Sequence, residues 1–568
     1  MRSSTFLRVG SYMSFMFIAL MAAPLNGQIG DTYADAVRNF NLGRYKTAER
    51  KLLSMLDRNS ECLECYDLLA RIATTTEEDS LAAHWYREAL TVDPSNPELL
   101  QKLGSSAHRA GFLEEALSAL EASVMLDSTL DKAYFELGNV WFDLKELDRA
   151  EEYYLEALSR DSTVANYHFQ LGMVYHERAS QDSAIIEFQH TYQQYPKYTR
   201  AYELAASILI KQQRWPEVVT VLEDGLTSAA ETPNTRYWLG AAYVEVGDFE
   251  RAVEILSGYV VRNAEHIGAR YTYGIALYET GDYLGASENL SVAAQARTDL
   301  LKAQLYWGKA LVAIDQDSLA MLVLDTLIIR DPDHYEAWVE RGDILRHDHD
   351  YPAALAHYRK AVGIDSGRWE AYHRQALTEY YKGQYLAAEL LLINALSRND
   401  SVAVIYETLG DVAAASHEDD FSIYYYNRTL EFPAVETEAI RWKLINAMIR
   451  MEIWYESERQ LIYLASQSGE SERLLYNLGL VNQANGRVEV ATDYFARYSE
   501  LHDIRRERER LELRVALDSQ NYRHHRVLGD FYNRLAEDRL ARDSYRRAVA
   551  LGDSTLSASD YLIEGDEP

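Results

Sequence analysis

The chain has 568 residues, several times the length of an ordinary single domain, so several domains or a repeat array are expected. A hydrophobic content of 48% and a charged content of 26%, with only 10 Pro and 28 Gly, exclude a disordered or collagen-like chain. The 57 basic and 88 acidic residues give a net charge of −31, which disfavours nucleic acid as a partner. Two Cys exclude a disulfide framework, whereas 42 Tyr against 9 Trp and 14 Phe form an excess that needs an explanation.

The N-terminal residues have the pattern of a targeting segment. Two Arg side chains precede a mostly apolar run over residues 12–23, and Pro24 follows as a helix breaker. This pattern is typical of a secretory signal peptide over residues 1–27. The alternative is an uncleaved anchor over residues 9–25, which approaches the roughly 20 residues that span a bilayer. We therefore predict an exported, periplasmic protein, with membrane contact only through this segment if it is not cleaved.

Small residues recur at a period of 34 through most of the remaining chain. Twelve residues after each of them lies a second small position, which is Ala in ten of twelve units, and four residues later comes a bulky apolar residue. The spacing predicts two amphipathic helices per unit that cross at the first small residue, hereafter the crossing residue. The crossing residues are Ala36, Ala70, Gly104, Gly138, Gly172, Ala206, Gly240, Gly274, Gly308, Gly342, Ala376 and Gly410.

This pattern resembles the tetratricopeptide repeat, in particular the exported proteins of this type in bacteria. One unit carries nearly the whole signature, in Tyr134, Leu137, Gly138, Trp141, Ala150, Tyr154 and Ala157, and a second good copy lies in Trp338, Gly342, Leu345, Ala354, Tyr358 and Ala361. The resemblance implies an all-α fold, a right-handed superhelical solenoid of about fifteen helix-turn-helix repeats.

The register of the period predicts how the chain is divided. Regular repeats occupy residues 28–430, degenerate and interrupted repeats follow over 431–556, and a polar tail ends the chain over 557–568. An Arg-rich insertion near 500–516 interrupts the second group. Residues 501–550 hold 12 Arg and no Lys against 9 acidic residues. We expect a solvated helix extended beyond its unit, with a docking surface for an acidic partner as the alternative.

Few residues favour catalysis or metal binding. Cys62 and Cys65 form a Cys-x-x-Cys motif near a predicted helix N-terminus, but the strand-helix-strand context of a redox site is missing, so we expect a local disulfide or an inert dithiol. The His-Asp-His-Asp run over 347–350 falls in a predicted turn, where polar residues are common. We predict no catalytic residue, no cofactor and no metal site.

The resemblance also implies a concave groove lined by the first helix of each unit. Its lining is given by three offsets: three residues before, one after and four after the crossing residue. At these offsets lie Phe135, Asn139, Phe142, Phe169, Met173, His176, Tyr237, Tyr271, Ile275 and Tyr278, and Glu136, Asp143, Glu177, Glu203, Glu245 and Glu279 lie close to them. The alternative for each aromatic ring is packing between neighbouring units.

These features predict a non-enzymatic protein-interaction scaffold that binds an extended apolar or basic protein segment in an acidic, aromatic groove. The alternative is a periplasmic scaffold of a polysaccharide secretion or assembly system, since aromatic faces beside carboxylates also suit sugar rings. A redox enzyme at Cys62 and Cys65 is the third hypothesis. Related adaptors clamp a C-terminal carboxylate with a set of Lys, Asn and Arg, but Phe135 stands where the Lys is needed, so that function is disfavoured.

Overall fold

The computed structural model describes residues 27–228, 232–433, 435 and 437–557. The predicted signal peptide lies outside these residues except for Gly27, and the predicted tail lies outside them except for Ser557. In the part of the chain that is described, no helix is both long and apolar enough to cross a membrane.

The described residues form thirty α-helices and no strand, so the predicted all-α fold is confirmed. The chain divides into two units, the first ending at Tyr306 and the second beginning at Trp307. Unit 1 contains α1 (Gly27–Asn41), α2 (Tyr45–Leu56), α3 (Leu63–Thr75), α4 (Asp79–Val92), α5 (Pro97–Arg109), α6 (Leu113–Leu126), α7 (Asp131–Asp143), α8 (Leu147–Arg160), α9 (Ala165–Glu177), α10 (Gln181–Gln194), α11 (Thr199–Lys211), α12 (Trp215–Thr227), α13 (Pro233–Val246), α14 (Phe249–Arg262), α15 (Ile267–Glu279) and α16 (Tyr283–Ala296).

The boundary between the units falls within α17 (Leu301–Ala313). Unit 2 then contains α18 (Asp317–Arg330), α19 (Tyr335–His347), α20 (Tyr351–Ile364), α21 (Glu370–Tyr381), α22 (Tyr385–Leu396), α23 (Ala403–Ala415), α24 (Asp419–Leu430), α25 (Thr437–Arg450), α26 (Trp454–Ser468), α27 (Glu472–Ala484), α28 (Val488–Leu517), α29 (Tyr522–Arg534) and α30 (Asp538–Ala550). Within each unit, successive odd and even helices pair as hairpins and consecutive hairpins pack together. In chain order, with α17 and α18 as the ninth pair, the helix pairs are numbered here as repeats 1 to 15.

The crossing residues pack as the sequence predicts. A Cβ atom placed on Gly138 would lie 2.6 Å from the ring of Tyr154, and one on Gly342 would lie 2.4 Å from the ring of Tyr358. Both tyrosines are fully buried. Glycine is therefore required at these crossings because the bulky side chain 16 residues later occupies the space that a methyl group would need.

The turn inside each hairpin has one left-handed residue, again at a period of 34. Gly247 adopts φ 81°, and the same position is occupied by Lys145 at φ 65° and His349 at φ 61°. Left-handed backbone favours glycine, but short turns accept other residues there at some cost. The His-Asp-His-Asp run thus lies in an ordinary hairpin turn.

The degenerate region keeps the hairpin form. Helices α25 to α30 make three further repeats, and the Arg-rich insertion lies in the single 30-residue helix α28. The second half of this helix packs against the last hairpin through Leu511, which is buried with Leu528 and Phe531.

Candidate functional site

We call the residues at the three offsets from each crossing residue the first-helix surface. Not all the aromatic rings that the sequence places on this surface are exposed there. Phe135 is 9% exposed and stacks on Tyr167 of the next repeat with ring centres 4.6 Å apart. Phe169 is 5% exposed and stacks on Tyr198 at 4.8 Å. The prediction that these two rings line a groove is therefore wrong, because an aromatic side chain of the following repeat covers each of them.

Asn139 has a packing role. Its Oδ1 accepts a hydrogen bond of 2.8 Å from the hydroxyl of Tyr154, and its Nδ2 donates to Glu136 at 3.1 Å. A buried phenol needs such an acceptor. The same arrangement recurs wherever an Asp follows the crossing residue and a Tyr lies 15 residues further on, in Asp343 with Tyr358, Asp411 with Tyr426 and Asp530 with Tyr545.

Two of the predicted lining residues stay half-buried in repeats 4 and 5. Phe142 has the Lys145 ammonium 5.2 Å from its ring centre. The Nδ1 atom of His176 is buried and has no hydrogen-bond partner among the described residues. Near them the acidic Glu177 is exposed, and Asp143 pairs with His108 at 2.8 Å.

Three half-buried tyrosines at the predicted offsets lie on repeats 7 and 8. The ring of Tyr237 lies 4.5 Å from that of His266, and Tyr278 meets Tyr306 edge-on at 5.3 Å. Burial, followed by the proximity of Tyr306 and Glu245, raises the pKa of Tyr271 to about 12. Its hydroxyl therefore stays protonated at neutral pH and remains a hydrogen-bond donor.

Tyr306 was not predicted from the sequence, because it lies two residues before its crossing residue and not three. Its hydroxyl donates to Glu279 at 3.2 Å. We call Tyr237, Tyr271, Tyr278, Tyr306, Glu245 and Glu279 the tyrosine–glutamate surface. Glu245 and Glu279 are exposed. Among the described residues, no Lys or Arg forms an ion pair with either carboxylate.

The first helices of unit 2 carry charged residues near the corresponding offsets. Lys309 pairs with Glu340 at 3.2 Å, and Arg374 pairs with Asp343 at 3.0 Å. Lys443 contacts the carboxylates of both Glu407 and Asp411, at 2.7 and 2.8 Å. Each pair joins first helices of neighbouring repeats, so these charges connect repeats.

The two cysteines form a disulfide at the start of α3. The Cα atoms lie 5.3 Å apart, Cys62 is the residue before the helix, and Cys65 is fully buried in the core of repeats 1 and 2. The bond thus closes one helical turn beside a packed core. Within the described ranges, no group of three His, Cys, Asp or Glu side chains could hold a metal ion.

Comparison with protein families decides the nature of the repeats. Two tetratricopeptide-repeat models match residues 131–163 and 308–368, and the model for subunit 3 of the anaphase-promoting complex, or cyclosome, matches residues 226–293. The chain contains tetratricopeptide repeats. The matched segments fall in both units, and the fifteen hairpins agree with the number of repeats expected from the 34-residue period.

Parts of the chain also resemble two known proteins. It is 28% identical over 121 residues to the Mus musculus protein O-mannosyl-transferase TMTC1, which is 21% of this chain and 13% of that protein. It is 26% identical over 145 residues to tetratricopeptide repeat protein 8 of Caenorhabditis elegans, which is 25% of this chain and 29% of that protein. The chain thus matches less than a third of the length of either relative.

A solved structure with a similar fold is that of yeast Tom70. The sequences are 14% identical, the TM-score is 0.35, and the alignment covers 66% of this chain and 92% of that one.

Proposed function

We propose that this protein is an interaction scaffold and that its tyrosine–glutamate surface binds an extended partner segment carrying apolar and basic side chains. The observation that carries the proposal is that two exposed carboxylates beside four tyrosine rings in unit 1, Glu245 and Glu279, form no ion pair with any described Lys or Arg. By contrast, Asp143 on the first helix of repeat 4 pairs with His108.

The chemistry of the surface fits a peptide. A Lys or Arg side chain gains from a carboxylate and from the face or edge of an aromatic ring at the same place. Tyrosine hydroxyls that stay protonated can donate to the carbonyl groups of an extended backbone, and burial keeps the pKa of Tyr237 and Tyr271 raised. Rigid tyrosine rings also provide contact area at a low cost in side-chain entropy.

The arrangement of the rings favours a protein segment over a glycan. A sugar ring stacks on an open aromatic face, but Tyr237 lies against His266 and Tyr259, and Tyr278 lies between Tyr283 and Tyr306. Neighbouring rings thus occupy part of the space that a sugar would need beside Tyr237 and Tyr278.

We also propose that the protein acts after export. The support is the pair of Arg residues, the apolar run over residues 12–23 and Pro24. Fractionation of the producing cells, with N-terminal sequencing of the mature chain, tests this part separately. Export predicts a chain that begins near residue 28, whereas an intact N-terminus in the cytoplasm would contradict it.

A photo-crosslinking residue at position 271, in the producing cells, tests the binding proposal. The matched control is position 381, because Tyr381 is a 56% exposed tyrosine on a first helix of unit 2. We expect one discrete protein adduct from position 271 only. Carbohydrate adducts, equal adducts from both positions, or none would contradict the proposal.

A peptide made from the crosslinked segment then allows the affinity to be measured. We expect Tyr271→Ala to weaken binding by about tenfold, since a central aromatic anchor contributes more than 1 kcal/mol. Lys or Arg to Gln changes in the peptide should weaken binding to the original chain and have less effect on the Glu245→Gln variant.

A further inference from the structure

One face of α28 is exposed and strongly basic. Arg506, Arg510 and Arg514 follow one another at intervals of four residues, and Leu513 and Leu517 are 58% and 78% exposed. At 100° per residue these five side chains fall within an arc of about 100° on the helix. We call them the arginine–leucine face. In the part of the chain that is described, no acidic side chain pairs with any of its three arginines.

Other residues of α28 contact the last hairpin. Leu511 is buried against the last hairpin, and Arg508 pairs with Glu537 of α30. Glu507 receives a hydrogen bond of 2.5 Å from Arg534. The helix is therefore held in place by its inner face, and the arginine–leucine face is presented on a well-packed element.

A second exposed surface of unit 2 has complementary chemistry. On the second helices of repeats 11 and 12, Leu386 is 72% exposed, Leu390 56% and Phe421 53%. Leu386 and Phe421 line one cavity together with Glu389 and Glu418. We call these five residues the acidic apolar notch. No described Lys or Arg forms an ion pair with its two carboxylates.

We propose that the arginine–leucine face of one copy of this chain docks in the acidic apolar notch of a second copy. Each surface combines unpaired charge of one sign with exposed large apolar side chains, and the signs are opposite. Large apolar side chains at such exposure are typical of interaction sites. Opposite charges across a contact favour the correct partner and orientation.

The two surfaces belong to different elements of the same unit and do not contact each other within one chain, since α28 packs on α27 and α29. Their contact therefore joins two copies through unlike patches, which is a heterologous contact. Such contacts continue into rings or filaments because each copy keeps one free surface. This inference concerns unit 2 and is independent of the proposed partner-binding surface in unit 1.

The test uses sedimentation velocity on the purified full chain and two variants, Arg510→Glu/Arg514→Glu and Glu389→Arg/Glu418→Arg. We expect the unchanged chain to associate with rising concentration and each variant to weaken association by about tenfold or more. A mixture of the two variants should associate again, because each unchanged surface meets its complement on the other variant and the two reversed surfaces also have opposite charges.

The matched control is Arg539→Glu/Arg547→Glu, which removes two exposed arginines of α30 with the same change of charge. We expect it to associate like the unchanged chain, and circular dichroism should show that all variants are folded. A monomer at every concentration, or variants that associate normally, would overturn the proposal. Failure of the mixed variants to associate would also overturn it. So would a result in which Arg510 and Arg514 are needed for binding to anionic lipid vesicles but not for self-association.

Discussion

The first helices of the two units present different surfaces on the same packing. In unit 1, Tyr271 and Tyr278 lie at the lining offsets with the unpaired carboxylates of Glu245 and Glu279 beside them. In unit 2, Asp343 is held by Arg374 at 3.0 Å and accepts a hydrogen bond from Tyr358 at 2.8 Å. Repeats 7 and 8 of unit 1 thus leave two carboxylates without a cation among the described residues, whereas Asp343 in unit 2 takes part in a contact between repeats.

The difference shows how a repeat array can separate stability from binding. Crossing residues and their bulky partners are alike in both units, so the backbone path of each hairpin is conserved along the chain. The lining offsets are not needed for that packing and can carry either bridging charges or free functional groups. Fold alone therefore does not give the function, which depends on the residues at these positions.

The largest effect is expected from filling the crossings. In Gly240→Ala and Gly342→Ala, the new Cβ would lie 2.4 Å from Leu256 Cγ and 2.4 Å from Tyr358 Cε1. We expect each to lower the free energy of unfolding by about 3 kcal/mol, because both neighbours are fully buried. Hydrogen exchange should show the loss in the affected unit.

Gly363→Ala is the control for these variants, since a Cβ there meets nothing within 4 Å. It should be neutral or stabilise the protein by up to about 1 kcal/mol. A large loss in only one of the two crossings would show that the packing is not common to both units.

Two histidines, one in each unit, should contribute to stability with opposite dependence on pH. Burial, with Arg374 and Arg346 nearby, lowers the pKa of His373 in unit 2 to about 4. At mildly acidic pH the His373 imidazole is protonated in the unfolded chain but not in the folded chain. Unit 2 therefore loses stability as the pH falls below the ordinary histidine pKa of about 6.5. The loss by pH 5 is on the order of 2 kcal/mol.

In unit 1, burial disfavours the charged form of His168, but its hydrogen bond of 2.7 Å with Glu187, the Ser162 carbonyl and the charge of Glu187 together raise its pKa. The contribution of His168 to the free energy of unfolding is complete below the ordinary histidine pKa and is lost as the pH rises through the raised pKa of the folded chain. His373→Gln should remove the acid sensitivity of unit 2, measured by chemical unfolding at several pH values, and His168→Gln should not. Equal pH profiles for His373→Gln and the unchanged chain would contradict this assignment.

A smaller effect is expected from removing the acceptors of the buried tyrosines. Asn139→Ala should cost about 1 kcal/mol, because Tyr154 loses its partner. Asp343→Ala should cost about 2 kcal/mol, because Tyr358 and Arg374 both lose theirs. Double-mutant cycles with Tyr154→Phe and Tyr358→Phe measure how much of each loss comes from the hydrogen bond of the tyrosine hydroxyl. This coupling free energy should be alike in the two units. A larger loss of stability in Asn139→Ala than in Asp343→Ala would contradict the additional role of Asp343 in binding Arg374.

The smallest effect on stability is expected from Glu245→Gln and Glu279→Gln. Their carboxylates are exposed and pair with no cation among the described residues, so the unfolding midpoint should not change. Glu407→Gln in unit 2 should lower it, because Lys443 loses one of its two ion-pair partners. Thermal unfolding of the three variants checks this, and a loss in Glu279→Gln equal to that in Glu407→Gln would remove the distinction between the two surfaces.

The fold could be predicted from the sequence because each crossing is a contact over a fixed separation. Gly138 and Tyr154 meet at 16 residues, and the same spacing returns at Gly342 and Tyr358. Such local, repeated contacts leave a regular signal. The bounds of α28 were harder to foresee, since an extended helix breaks the period.

The candidate site was predicted only in part, because the exposure of a ring depends on the following repeat. Phe169 is covered by Tyr198, and Tyr237 lies against His266, both 29 residues further on. This separation is a signal that sequence reasoning did not use. The partner of Asn139 was missed in the same way, although Tyr154 lies 15 residues later.

The unbroken helix α28 has a consequence for how the end of the array is oriented. Gly529 lies 50 residues after Gly479, 16 more than one period, and the extra residues fall within the helix. Each residue added to an α-helix turns everything beyond it by about 100°, so 16 residues amount to four turns and about 160°. The length of the insertion therefore sets the rotation of the last hairpin about the axis of α28. Deleting 18 residues (about five whole turns) would preserve this rotation far better than deleting 16.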